Sequence, residues 1–137
     1  MMHILQSWEE KDKQIYLSSL SYVMNSENAK SLERKEFMKN KAREFSVPLT
    51  KIKKVKTAEE LISLLKTIES TKVKYFIVRD MILMTLADHD VSDSEMKKIY
   101  DISTQIGISS EKVDDFFLWA AKGLEWQIAG ARLVEDI

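Results

Sequence analysis

The chain of 137 residues has no cysteine, one proline and three glycines. Without thiols there are no disulfides, thiolate metal sites or thiol nucleophiles, and the usage fits a reducing compartment, the cytoplasm. So little Gly and Pro argues against a β-rich chain, because hairpins draw heavily on Gly, Asn and Asp turns. Long apolar runs are missing as well. The most apolar stretch, VKYFIVRDMILMTLA at 73–87, falls short of the ~20 residues a bilayer needs and is interrupted by Arg79 and Asp80. The opening MMHILQSWEEKDK has neither a basic leader nor a long apolar core, so it reads as mature protein. There is no Gly-rich phosphate loop. His3 and His89 stand far apart, without a local Ser or Asp arrangement that would give a catalytic triad. The expectation is a chain that is not an enzyme.

What is present points to helices. A hydrophobic share of 45% and a charged share of 31% are globular values, and a chain of this length supports one core, hence a single domain over 1–137. SWEE at 7–10, TAEE at 57–60 and SDSE at 92–95 match the S/T-x-x-E capping box and mark three helix starts. Tyr16, Leu20 and Val23, then Met38, Ala42 and Phe45, recur at helical spacing. A short basic helix is expected after Pro48, with Leu49, Ile52 and Val55 inward, and Leu61, Leu65 and Ile68 mark the next. The stretch 73–87 should be the central helix, since it can leave little of its circumference wet. Met96, Ile99, Ser103 and Ile106 follow, then a Gly stop and Ser cap in GISSEK, and a last helical stretch from Val113 that could break near Gly123 or Gly130. About seven helices result.

EFSVPLTKI at 44–52 aligns with QIGISSEKV at 105–113, pairing Phe45 with Ile106, Val47 with Ile108 and Ile52 with Val113. Upstream, LSYVMNSENAKSLERKEFM pairs with ILMTLADHDVSDSEMKKI. The fold class expected is therefore all-α, with an internal repeat packed about a pseudo-twofold axis.

Charge is unevenly spread beneath a net of −1. Residues 30–56 carry ten Lys and Arg against three Glu, and residues 80–137 carry twelve acids against five Lys and Arg. The basic segment could meet an anionic surface or an acidic protein, and a solvated helix face is the plainer reading. Nucleic acid is disfavoured because no aromatic is interleaved to stack bases. Trp119, Trp126, Phe116 and Phe117 enrich the last helix; most should be core, with Trp126 a candidate patch for a partner helix.

The candidate site is ADHDVSDSEM at 87–96. Asp88, Asp90 and Glu95 offer oxygens suited to Ca²⁺ or Mg²⁺. Asp88 falls near a helix C-terminus, where an anion is disfavoured, so a cation, Arg79 or a lysine of the basic pole should compensate it. An EF-hand loop does not fit, because Asp93 takes its glycine position and Ile99 its Glu position. The competing account makes Ser92 and Glu95 a capping box and Asp90 and Asp93 loop and N-terminal acids. The two are not exclusive. Asp80 could add a supporting carboxylate, with Arg79 as its plainer partner, and His89 a nitrogen.

MTLADHDVSDSEMKKIYDISTQIGISSEKVDDF resembles the tellurite-resistance TerB-like family, with Asp88 on the loop aspartate, Ser92 on the cap, Glu95 on the first-turn Glu and GISSEKV on the turn. His89 stands where the family has glycine, and the first repeat keeps only Glu27 as a loop acid. The resemblance implies an all-α fold, a divalent-cation site, and a role without enzymatic chemistry in bacterial stress or envelope-linked assemblies.

Overall fold

A computed structural model describes residues 8–25, 32–87 and 92–135. Among them are six α-helices, one 3-10 turn and no strand: α1 Glu10–Met24, α2 Leu32–Glu44, the turn Leu49–Lys51, α3 Ala58–Leu65, α4 Thr71–Leu86, α5 Asp93–Gln105 and α6 Ser110–Glu135. None is long and apolar enough to cross a membrane.

The helices begin where short side chains satisfy free amides. Thr57 accepts from the Glu60 amide and Ser92 from the Glu95 amide, as the boxes predict. Ser70 caps α4 in the same way through the Val73 amide, without a Glu to announce it. The first box does not start α1: Glu9 is its N-cap and makes no side-chain cap, while Ser7 lies outside the described residues. The basic segment after Pro48 is a single 3-10 turn, too short to bury Leu49, which is exposed, although Ile52 and Val55 do turn inward. α6 runs unbroken through Gly123 and Gly130, and with the segment after Pro48 reduced to a 3-10 turn the described residues hold six α-helices against the expected seven.

The core follows the apolar periodicity. Tyr16, Leu20, Met38, Ala42, Phe45, Leu61, Leu65 and Ile68 are buried together with Ile77, Met81, Ile99 and Val113. α4 packs against α1, α2, α5 and α6, and is the central helix.

Boundaries recur along the chain. α4 starts at 71 against 10 for α1, α5 ends at 105 against 44 for α2, and α6 starts at 110 against 49 for the 3-10 turn, 61 positions in each case. The stops after α2 and α5 share their hydrogen bonding. The Val47 amide donates to Ala42 O and the Ser46 amide to Arg43 O; likewise Ile108 donates to Ser103 O and Gly107 to Thr104 O. This is the Schellman pattern, which needs a left-handed residue. Ser46 (φ 58°) and Gly107 (φ 87°) supply it.

Candidate functional site

The candidate acidic stretch joins α4 to α5. Asp88, Asp90 and His89 lie outside the described residues. Glu95 stands in the first turn of α5, where its backbone amide is tied to Ser92 Oγ at 3.0 Å and the helix dipole favours its charge. It is only 5% exposed.

Its carboxylate meets Arg34 of α2, which is 2% exposed. Arg34 Nη1 lies 2.8 Å from Glu95 Oε2, and Nη2 donates to Oε1 at 3.1 Å. Nη2 also donates to Thr85 O at 3.0 Å. Thr85 belongs to the last turn of α4, where the carbonyls lack their usual amide four residues on within the helix and carry the negative end of its dipole. One guanidinium thus bridges the C-terminal end of α4 and the N-terminal turn of α5. The cation expected to compensate Asp88, whether a metal, Arg79 or a lysine of the basic pole, bears on a residue outside the described ones; what the structure shows beside that stretch is Arg34 on Glu95 and on the Thr85 carbonyl. The planar fork suits it to two oxygens and a carbonyl at once, which a lysine could not match. A signal for it exists in the sequence: Arg34 stands three residues after Ser31 as Glu95 stands three after Ser92, 61 positions apart.

Asp80 is fully buried on the other side of α4. Tyr16 donates to its Oδ2 at 2.5 Å and Arg79 Nε to its Oδ1 at 3.0 Å, so Arg79 is its partner, as the plainer reading held. Burial first, then the Asp80 carboxylate, push the Tyr16 hydroxyl far above the usual tyrosine range, and it remains a donor. The Arg79 guanidinium in turn lies over Phe76 at 4.2 Å and faces Trp119 at 5.4 Å. Trp8, Tyr16, Phe45 and Phe76 form one edge-to-face aromatic group beside it. These contacts hold the bundle and pair the Asp80 carboxylate with Tyr16 and Arg79. Among the described residues no group of three or more His, Cys, Asp or Glu could hold a metal.

The remaining feature is apolar. After Leu124 every described residue of α6 from Glu125 to Val134 is exposed, Trp126 at 79% and Leu133 at 72% among them. Beside this segment runs an open groove of about 630 Å³, with Phe37, Leu83 and Leu86 on one side and Trp119, Gly123 and Trp126 on the other. Trp126 is therefore the exposed patch that its position beyond Gly123 suggested.

No family model matches this chain, and no curated protein or solved structure is significantly similar to it.

Proposed function

We propose that this chain is a non-enzymatic binding module of TerB-like design, two related helical copies packed about a pseudo-twofold axis, whose working surface is the exposed apolar side of α6. What supports the duplicated design is the common 61-residue offset of helix starts and of the two left-handed turns. The observation that carries the function is the exposure of Trp126 and Leu133 on a helix that extends past the bundle, since large apolar side chains grouped on a surface mark interaction sites. The resemblance gives the setting, an intracellular bacterial assembly concerned with stress or the envelope.

In this reading the acidic stretch is structural, and Arg34 ties together the described residues on either side of it, Thr85 and Glu95. A divalent cation at Asp88, Asp90 and Glu95 is the competing reading, and such an ion has to share or take Glu95 from a two-point ion pair.

The test is whether the fold needs the α6 side chains. In dilute protein, Trp126→Ser with Leu133→Ser should change unfolding stability by no more than about 0.5 kcal/mol, as surface positions do. A loss above about 2 kcal/mol would place both in the chain's own core and end the reading.

A further inference from the structure

Resting on that reading of α6, we infer that the surface is an isologous interface, and that its occupant is the same helix of a second copy of this chain, packed antiparallel. Trp119, Gly123, Trp126, Gly130 and Leu133 follow one another at spacings of four, three, four and three residues. At 100° per residue they lie within about 40° of a common line along α6, the seam spacing of paired helices. Large and absent side chains alternate along that seam. The two glycines are mid-helix, where they weaken the helix, and a Cβ at either would meet nothing within 4 Å. Their cost has no return inside the monomer, whereas a bare stretch of backbone gives a neighbouring helix room for a Trp.

Self-complementarity selects the second copy. If Trp126 of one helix stands over Gly130 of the other, twofold symmetry puts the second copy's Trp126 over Gly130 of the first, and Leu133 over Gly123 in both directions. The same register brings Glu125 level, within one residue, with the second copy's Arg132. It also directs the far end of each α6 toward the other's groove at Phe37, Leu83 and Leu86. The exposed face is long: every described residue from Glu125 to Val134 is exposed, with Trp126 at 79% and Leu133 at 72%, and the groove at Phe37, Leu83 and Leu86 adjoins it. An anionic lipid surface fits less well, because Lys122 and Arg132 are outnumbered by Glu125, Glu135 and Asp136 over the same stretch.

Sedimentation equilibrium over a concentration series decides it, with circular dichroism on every variant and with vesicles of mixed anionic lipid as a second arm. A monomer–dimer equilibrium is expected. Gly130→Leu, which fills the hole, and Trp126→Lys, which removes the knob, should each weaken it at least tenfold with helicity retained. Gly130→Ala should weaken it too, although it favours the isolated helix. A monomer at every concentration, a dimer indifferent to these substitutions, or a monomer that sediments with the vesicles overturns the inference. In those cases the reading of α6 as an interaction surface stands if Trp126→Ser with Leu133→Ser remains neutral to the fold of dilute protein, and falls with the inference if it does not.

Discussion

Arg34 and Glu95, 61 positions apart in sequence, meet in the interior through two nitrogen–oxygen contacts of 2.8 and 3.1 Å. Each comes from the first turn of its helix, and the guanidinium also holds the carbonyl of Thr85 at the end of α4. A buried pair of this kind offsets its own desolvation when intact and is costly when halved.

Removing either partner should therefore be severe. Arg34→Met or Glu95→Gln alone should lower unfolding stability by about 3–5 kcal/mol in chemical denaturation. Arg34→Met combined with Glu95→Leu should recover most of the loss, since no uncompensated charge is left. Additive losses in the double variant would show that the two residues do not act as a pair.

Divalent cations bear on the same residue from the other side. If Arg34 is the cation of this site, thermal unfolding should be unchanged between EDTA and excess Ca²⁺, Mg²⁺ or Mn²⁺. A site on Asp88, Asp90 and Glu95 occupied at 100 times its dissociation constant would instead add about 2.7 kcal/mol, a readily visible shift. Such a shift, abolished by Asp88→Asn, would restore the cation reading.

Alkaline pH should unfold the chain earlier than its acids suggest. Burial, and then the neighbouring Asp80 carboxylate, raise the Tyr16 hydroxyl, while burial followed by the hydrogen bond to Asp114 pushes Tyr100 up to about 12. Unfolded tyrosine titrates near ~10, so above that pH the unfolded chain holds fewer protons than the folded one. The stabilisation these hydroxyls give is complete below pH ~10 and declines as pH rises beyond it. Tyr16→Phe should flatten the decline in a pH series of unfolding midpoints, at the expense of a lower plateau because Asp80 loses a donor.

The two left-handed turns give a matched pair of substitutions. Ser46 carries a side chain at φ 58°, where only glycine is at ease, so Ser46→Gly should raise stability by about 0.5–1 kcal/mol. Gly107→Ala at φ 87° should lower it by about 1–2 kcal/mol. Opposite signs at positions 61 apart are the expected result; equal signs would show that the surroundings, not φ, set the energetics.

Much of the helical core was readable in advance. Met38, Ala42, Ile99 and Ile106 fall at helical spacing because burial of one face imposes it, and all four are buried. The helix stops were less consistent. GISSEK carries a glycine and could be read as a stop, but the equivalent turn after α2 uses Ser46, which announces nothing. Gly123 and Gly130 suggested a break that does not occur, since a mid-helix glycine costs only ~1 kcal/mol and does not forbid the helix. Arg34 escaped notice because counting charge by segment assigns every cation to the surface, whereas its burial depends on a carboxylate far along the chain. For Asp88 and Asp90 the sequence remains the only guide, as both lie outside the described residues.

The ion pair also has a direction. Glu95 sits where α5 welcomes an anion, while Arg34 stands in the first turn of α2, where the dipole opposes it, and draws on the end of α4 for compensation. Exchanging the two would set an anion against the Thr85 carbonyl and a cation against the start of α5, unfavourable at both ends. The helix pairs α1–α2 and α4–α5, alike in length, are thus electrically non-equivalent, and a redesign that exchanges them one residue at a time would have to cross an unstable intermediate in either order.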